Sequence, residues 1–473
     1  MNIYILYPEI TVLLLTLLIV IMDLLLPVQE TRRSLAYIAV MVLGCLFISL
    51  FYQYHFGISP YFYNKLFYFD NYAIFFKQLF LLAVIFTIML SLDYADDLRY
   101  SGEYYAMLLF SLLGMMVLAS ANDFVTMFIG LELMTISFYI LAAFKNNDEN
   151  SSEAGIKYLI MGSVATAVTL YGISLIYGAG HSLDFNVLAA ETRFFVPLML
   201  TGIVLLIIGM FFKLSIMPFH MWSPDVYEGA PTPITGLLAM GSKAAAIAVF
   251  IRILFVAFLH TANYFLPVLA VFAAICMIGG NIAAIKQKNI KRMLAYSSIA
   301  QVGYILVGFC AASPQGIKSV LFYVFLYIVA NIGAFAVLTV VDKQNKGTDD
   351  KAIAGLSKSA PLLAMVMTIS LLSMAGIPPT VGFVGKLYLF LAVVEQGYIW
   401  LAFIGFIMSM ISVYYYLRVV KVMYIGKANN DYINVSAAIK ITVIISMLTT
   451  LLLGIWPQYL SVLTNFAAIS FAL

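Results

Sequence analysis

Long apolar runs, separated by short polar stretches, follow one another along nearly the whole chain. A helix that crosses a lipid bilayer needs about 20 predominantly apolar residues, and the runs have that length. The pattern therefore predicts fourteen membrane-spanning helices. They are expected at residues 8–27, 34–54, 71–92, 103–121, 123–144, 154–178, 194–218, 234–260, 264–286, 294–311, 316–341, 361–395, 399–424 and 438–461.

Composition supports the same class. Of 473 residues, 64% are hydrophobic and only 10% are charged, whereas soluble domains carry about 25% charged residues. The polar connections leave no room for a separate extramembrane domain, so we predict an all-α polytopic membrane protein with one transmembrane domain over residues 1–473. The N-terminus has no basic region or cleavage signal, so we expect the first apolar run to be kept as a span.

Composition also excludes several kinds of site. A net charge of +3 without a basic stripe argues against nucleic acid as a partner. The three cysteines form no CxxC pair, which disfavours disulfides, zinc and iron–sulfur clusters. A phosphate-binding P-loop is absent from the sequence. The four histidines fall in predicted loops or at span ends, which disfavours haem held between helices: His55, His181, His220 and His260.

Positive charges are distributed unevenly between the loops. Loops after odd-numbered predicted spans hold seventeen Lys and Arg residues, including Lys291 and Arg292, and loops after even-numbered spans hold three. Because cytoplasmic loops of membrane proteins are enriched in Lys and Arg, we predict that the odd-numbered loops are cytoplasmic. Both termini are then expected outside.

Two predicted spans contain helix breakers. Span seven includes Pro218, which removes one backbone hydrogen bond and clashes with the carbonyl of Leu214. Span twelve includes Gly376, Pro378 and Pro379 and is too long for one straight crossing. Interruptions at matching positions of two halves are typical of inverted repeats with a functional site at the break. We therefore predict two inverted five-helix repeats, at about residues 103–260 and 264–424.

Four charges lie deep within predicted spans: Glu132, Lys213, Lys243 and Lys386. Each charge at the bilayer centre costs about 2.5–3.5 kcal/mol on insertion scales, so packing alone would not favour them. A buried lysine is able to release its proton, whereas arginine stays protonated. The residues therefore suggest a proton relay, in which a Glu132–Lys213 pair holds a proton on the lysine.

Each of these residues also has a structural interpretation. The alternative for Glu132 and Lys213, less favoured than the relay, is a static ion pair that locks two helices together. Lys77 and Arg252 are interpreted as side chains that extend toward the outer interface. His220 is interpreted either as a loop-capping residue or as a point of proton entry. Two acidic residues after the break in span seven are interpreted as turn and cap residues: Asp225 and Glu228.

Three stretches, residues 213–235, 291–304 and 375–386, resemble signature motifs of the antiporter-like membrane subunits of respiratory complex I. The resemblance extends along nearly the whole chain. It implies a fourteen-helix fold with two inverted repeats and one proton channel. It also implies roles for four residues: Glu132 and Lys213 as a pair, Lys243 as a connecting relay, and Lys386 facing the other half-channel.

The resemblance further implies a bacterial inner-membrane enzyme that couples electron transfer from NADH to quinone with proton pumping. FMN, iron–sulfur clusters and quinone would be held by partner subunits, and this chain would hold no cofactor. The expected partners are other antiporter-like subunits, small helical subunits and the lipid bilayer.

Two alternatives of different classes remain at this point. One is a subunit of an Mrp-type cation/proton antiporter, and the other is a membrane scaffold without a transport role. The sequence leaves open the quinone, the electron donor, the pumping stoichiometry and coupling to sodium rather than protons.

Overall fold

A computed structural model of the chain describes residues 3–25, 28–54, 61–62, 66–95, 98, 100–145, 148–190, 196–258, 261–345, 347–427, 433 and 435–471. Nearly all of these residues are helical. Within them, thirteen helices are long and apolar enough to cross a membrane, which confirms the prediction of an all-α polytopic membrane protein. His55 and His260, which the sequence places in loops or at span ends, lie outside the described residues.

The first half of the chain contributes eight crossings and two short helices outside them, Phe185–Ala189 and Trp222–Gly229. The helices are α1 (Tyr7–Leu25), α2 (Val28–Gln53), α3 (Asn71–Ala95), α4 (Ser101–Ser120), α5 (Phe124–Ala142), α6 (Glu149–Gly180), α7 (Phe185–Ala189), α8 (Pro197–Leu214), α9 (Trp222–Gly229), α10 (Thr232–Leu237) and α11 (Lys243–Arg252). π-helical turns at Leu238–Ser242 and Ile253–Ala257 join α10 to α11 and extend α11, so these form one crossing. A short antiparallel pair, β1 (Tyr61–Phe62) and β2 (Phe67–Tyr68), precedes α3.

The second half of the chain is also helical. Its helices are α12 (Ala262–Ile285), α13 (Ile290–Cys310), α14 (Pro314–Asn345), α15 (Leu356–Ser359), α16 (Pro361–Ala375), α17 (Val381–Glu395), α18 (Ile399–Ile425), α19 (Ala437–Ile455) and α20 (Gln458–Ala468). The range predicted as span twelve, 361–395, holds two successive helices, α16 and α17.

Three crossings form the centre of the molecule. The crossing Thr232–Ala257 is entirely buried, and Ile290–Cys310 and Pro314–Gln344 are each 94% buried. By contrast, the outer crossings α1, α6, α18 and α19 are only 28–33% buried and carry exposed Leu, Ile and Val side chains. Lipid contacts such apolar surfaces in a membrane. Polar residues of the central helices are therefore shielded from lipid by protein.

Two crossings are interrupted in the same manner. Helix α8 ends at Leu214, and Ser215 takes the left-handed conformation with φ 57°. Helix α16 ends at Ala375, and Gly376 takes the same conformation with φ 83°. Each link contains a cis proline bond, and a second helix then starts at Trp222 or Val381. The residues that end each first helix leave backbone carbonyls without helical donors.

Loops at opposite ends of the molecule are joined in a related way. Asp123 caps α5 and forms a backbone bridge with Asp184, which follows α6. Asn289 caps α13 and forms a backbone bridge with Asp349, which follows α14. In each case the residue before one helix pairs with the loop after the next long helix. This correspondence supports the predicted repeats, which otherwise remain a prediction.

The interpretation of Lys77 and Arg252 as residues extending to the interface is wrong. Lys77 is 1% exposed, and its Nζ lies 2.7 Å from Oε1 of Glu9 in α1. Arg252 is also 1% exposed, and its guanidinium makes two hydrogen bonds of 2.7 and 3.1 Å to Asp70. Each cation has a carboxylate partner from a segment distant in sequence, so burial in the protein replaces exposure at the interface.

Lys291 also differs from its predicted position. The sequence assigns it to a loop after an odd-numbered span, but it lies in the first turn of α13 and is 5% exposed. Helix α13 begins four residues earlier than the predicted span, because Asn289 accepts a hydrogen bond from the Arg292 amide.

We predict that Asp70→Asn strongly destabilises the chain. The substitution removes the carboxylate from a buried arginine, and breaking such a pair costs about 3–5 kcal/mol. Thermal unfolding in detergent measures the effect through labelling of the buried thiols Cys276 and Cys310, in a background where the exposed Cys45 is replaced by serine.

The matched control is Asp93→Asn, because Asp93 pairs with Arg33, whose side chain is 57% exposed, at 3.5 Å. Exposed pairs contribute little to stability, so this variant should unfold near the parent temperature. Equal unfolding temperatures for the two variants would contradict a stabilising role for the Arg252–Asp70 pair.

Candidate functional site

Lys213 and Glu132 lie near each other but have different hydrogen-bond partners. Lys213, in the last turn of α8, is 2% exposed, and its Nζ donates to Oγ1 of Thr135 at 2.9 Å. Glu132 is half-buried on α5 and accepts a hydrogen bond from Oγ1 of Thr166 at 2.9 Å. Thr135 is one helical turn beyond Glu132. The carboxylate therefore acts on Lys213 electrostatically, without the direct contact that the sequence suggests.

Lys243 is positioned by the irregular crossing at the centre of the molecule. It is the first residue of α11, directly after the π-helical turn Leu238–Ser242. Such turns are frequent at functional sites. The Lys243 side chain is 1% exposed, and its Nζ donates to Oγ of Ser298 in α13 at 2.6 Å. The ring of Tyr227 lies 5.8 Å from the same nitrogen.

Lys386 lies in α17, shortly after the second interruption. Its Nζ donates to the carbonyl of Ala375 at 2.9 Å and to Oγ of Ser409 at 2.8 Å, above the ring of Tyr304 at 4.4 Å. The Ala375 carbonyl is available because α16 ends there. The negative end of a helix also favours a cation. Gly376 permits the close approach, because a Cβ at this position would lie 2.9 Å from Cδ of Lys386.

A polar network on α13 and α18 lies between Lys243 and Lys386. Nε2 of Gln301 donates to the carbonyl of Met374 at 3.0 Å and to Oη of Tyr416 at 3.3 Å. Tyr416 in turn contacts Ser297 at 2.5 Å, and Tyr323 donates to Oε1 of Gln301. The sequence alone did not indicate that these residues form a network. Their signal was a polar stripe at helical spacing within an otherwise apolar run: Ser297, Ser298, Gln301 and Tyr304.

His220 lies in the link between α8 and α9. Its ring is half-buried, and Nδ1 lies 3.3 Å from the carbonyl of Pro218. This contact fits a role in capping the link. Lys243 is also among its electrostatic neighbours, so the structure brings His220 toward the group of buried lysines.

A polar cavity of about 750 Å³, which we call the vestibule, opens where the loops after odd-numbered spans converge. Asp225 and Glu228 line it, together with Lys157 and Arg292. Both acids accept hydrogen bonds from Arg292, at 2.7 and 2.9 Å, and Asp225 also contacts Lys157 at 2.8 Å. Their interpretation as turn and cap residues is therefore replaced by an ion-pair network at the rim of the vestibule.

Asp148 shows the electrostatic character of this rim. Partial burial alone would raise the pKa of its carboxyl, but Lys145 at 2.8 Å and the backbone amide of Asn150 stabilise the charged form. The net effect is a pKa below the usual value. Acidic and basic side chains thus lie side by side in the vestibule lining.

The buried cations fall into two groups. Lys77 and Arg252 contact carboxylates. Lys213, Lys243 and Lys386 instead donate to hydroxyl and carbonyl oxygens, which carry no charge. Within the described residues, three or more His, Cys, Asp or Glu side chains nowhere gather in a group able to hold a metal ion.

Comparison with known families identifies the type of protein. Residues 121–412 match the sequence model described as NADH:quinone oxidoreductase/Mrp antiporter, transmembrane. The match covers more than half of the chain. It includes the five candidate site residues: Glu132, Lys213, His220, Lys243 and Lys386. The chain belongs to this family.

Relatives within the family resemble the chain over almost its full length. It is 50% identical over 444 residues to NADH-quinone oxidoreductase subunit N of Heliobacterium modesticaldum, with 93% of both chains covered. It is also 48% identical over 443 residues to subunit N of Desulfitobacterium hafniense, with 89% of both chains covered.

Solved structures share the fold. A chain of respiratory complex I from Thermus thermophilus with bound Aureothin is 30% identical, with a TM-score of 0.82 over 98% of this chain and 99% of that one. A chain of the Mrp complex from Dietzia sp. DQ12-45-1b has a TM-score of 0.89 over 100% and 98%, but it is only 19% identical. The second comparison supports the fold alone.

We predict that Thr135→Val destabilises this family member in detergent by about 1–3 kcal/mol, because it leaves the buried Lys213 ammonium without its hydrogen-bond acceptor. Thiol-labelling thermal unfolding measures the change. Thr169→Val is the control, because the Thr169 hydroxyl donates only to the Ala165 carbonyl of its own helix. An unfolding temperature no lower than that of the control would show that Lys213 is not dependent on Thr135.

Proposed function

We propose that this chain is a proton-translocating membrane subunit of a bacterial NADH–quinone oxidoreductase. Electron transfer from NADH to quinone, with FMN and iron–sulfur clusters, takes place in partner subunits, and no redox centre is assigned to this chain. The full-length similarity to proteins named subunit N supports this assignment. The Mrp-type antiporter is the weaker alternative, because similarity to that complex is limited to the fold.

The observation that carries the proposal is the set of neutral partners around three buried lysines. A lysine that pairs with a buried carboxylate cannot lose its proton without leaving an unpaired charge in an apolar environment. Lys213, Lys243 and Lys386 contact only uncharged oxygens through their hydrogen bonds. Each can therefore exist as an ammonium or as a neutral amine without orphaning a partner.

Glu132 controls the equilibrium between the protonated and neutral forms of Lys213. Its carboxylate stabilises the ammonium of Lys213 through space and is not bound to it directly. A change of charge in a neighbouring subunit that draws the Glu132 carboxylate away would release the proton from Lys213. This arrangement fits a relay better than a static ion pair, in which the two charges would be in contact.

The proposed route crosses the molecule through its centre. A proton enters from the vestibule, reaches Lys213 and Lys243, and passes along Ser298, Gln301 and Tyr416 toward Lys386. The hydroxyl and amide groups of this network both donate and accept hydrogen bonds, which proton transfer along a chain requires. His220 is included as an entry candidate next to Lys243.

The orientation follows from charge. We propose that the vestibule faces the cytoplasm, because it is formed by the loops that carry most Lys and Arg residues. Both termini then lie outside. The inverted repeats, residues 103–260 and 264–424, would each provide one broken crossing with a lysine next to its break.

We predict that Lys213→Met and Lys386→Met each reduce the number of protons pumped per electron at least tenfold, because methionine fills similar space but carries no proton. The assembled enzyme in native membranes is assayed for NADH–quinone turnover and for proton pumping, with assembly checked on native gels. Lys440→Met is the control, because Lys440 is exposed on α19.

Unchanged pumping by the assembled Lys213→Met and Lys386→Met enzymes would support the scaffold alternative and contradict the relay. Cation/proton exchange without NADH in inverted vesicles would instead support the antiporter alternative.

A further inference from the structure

A fourth buried lysine with a neutral hydrogen-bond partner lies at the base of the vestibule. Lys291, in the first turn of α13, is 5% exposed, and its Nζ donates to the carbonyl of Ala230 at 2.9 Å. It also belongs to the vestibule lining. Lys291 therefore resembles the three relay lysines in being buried and bound to a neutral oxygen, but unlike them it borders a polar cavity.

Acidic and basic groups both lie near Lys291 on the vestibule side: the acids Asp342, Glu228 and Asp148, and the base Lys145. Asp342 and Glu228 are its electrostatic neighbours, and both line the vestibule. Asp342 accepts a hydrogen bond from Oγ1 of Thr232 at 2.5 Å, so its position is fixed between α14 and the start of α10. Carboxylates at the mouth of a channel attract protons and hydrogen-bond to water, which favours delivery to the lysine behind them.

The route inward leads to Lys243. Ser298 follows Lys291 by seven residues on the same helix, which places the two on one face about 10.5 Å apart along the axis. Ser298 accepts the hydrogen bond from Lys243. Tyr227 packs beside Ser298 and Lys243 and is fully buried.

Buried hydroxyls line this inner segment. Oη of Tyr227 lies beside the hydroxyls of Ser223 and Ser298, and Oη of Tyr327 also lies beside that of Ser298, but Tyr227, Ser223 and Tyr327 make no well-aligned hydrogen bond through these oxygens. Buried polar atoms of this kind are usually satisfied by ordered water. Three of them around Ser298 mark a polar pocket in which water and hydroxyls are able to bridge Lys291 and Lys243.

We propose that Lys291 is the proton-loading residue of the relay, taking protons from the vestibule and passing them to Lys243 through the hydroxyls of Tyr227 and Ser298. The inference rests on the proposed function. In the loading step, the neutral amine of Lys291 takes a proton from vestibule water. A hydroxyl then accepts that proton while giving its own to the amine of Lys243, so Lys291 becomes neutral again and Lys243 becomes charged.

A purely structural role makes a different prediction. If Lys291 only anchors Ala230, at the joint between α9 and α10, any long cation that donates a hydrogen bond would replace it. Arginine donates similar hydrogen bonds but does not release its proton in proteins. The variant Lys291→Arg therefore separates proton loading from anchoring.

The experiment uses the complete enzyme reconstituted in proteoliposomes, with protons pumped per electron as the readout and native gels as the assembly check. We expect Lys291→Arg and Lys291→Met both to reduce pumping at least tenfold, and Tyr227→Phe to reduce it several-fold. Lys288→Met is the matched control, because Lys288 is a nearby exposed lysine, and it should pump normally.

Pumping by Lys291→Arg above half of the parent level would overturn the inference, as would normal pumping by Tyr227→Phe together with Lys291→Met. If Lys291→Met does not assemble, the arginine and phenylalanine variants decide. Lys213→Met, measured in parallel, separates failure of this inference from failure of the proposed function. Loss of pumping in Lys213→Met with normal pumping in Lys291→Arg rejects only this inference. Normal pumping in both variants rejects the proposed function.

Discussion

The structure depends on one constraint: a charge buried among membrane-spanning helices must find its partners within the protein, because the hydrocarbon core supplies no water. The chain meets this constraint in two ways. Lys77 and Arg252 are held by carboxylates and are fixed charges that join distant helices. The lysines at positions 213, 243 and 386 are held by hydroxyls and carbonyls, so their charge is free to change. We propose a relay through the second group because its lysines, unlike Lys77 and Arg252, can exchange protons without leaving a contacting carboxylate unpaired.

The two interruptions share one framework but carry different chemistry. Lys213 precedes the left-handed Ser215 by two residues, and Met374 precedes the left-handed Gly376 by two. Thr135 contacts Lys213, and Gln301 contacts the carbonyl of Met374. Thr135 and Gln301 follow the N-cap residues of their helices, Asp123 and Asn289, by the same number of residues. Where the first half has Lys213 before its break, the second half has a lysine after it, bound to the carbonyl that the break exposes. In both halves a lysine therefore lies at the end of an interrupted helix: Lys213 belongs to the last turn of α8, and Lys386 binds the last carbonyl of α16.

Sequence alone predicted the helical class, the position of nearly every crossing and the burial of Lys213, Lys243 and Lys386, because apolar length and mid-span charge are local properties. It failed where partners come from distant segments. Glu9 and Asp70 lie near span ends and gave no sign that they would bury Lys77 and Arg252. Lys291 was assigned to a loop because one helical turn decides whether a terminal residue is exposed. The Gln301 network was missed because single polar residues in an apolar run show no partner until the helices are packed.

The most direct test of the relay is Lys243→Arg in the assembled enzyme, because Lys243 lies between the two interrupted crossings and donates to Ser298 in a way that arginine is able to imitate. The measurement is the number of protons pumped per electron during NADH oxidation in proteoliposomes, with turnover also measured in the presence of an uncoupler. We predict at least a tenfold loss of pumping, because a permanent charge at this position holds its proton. Pumping at the parent level in a fully assembled Lys243→Arg enzyme would contradict the account, since the charge at position 243 would then be needed only for structure.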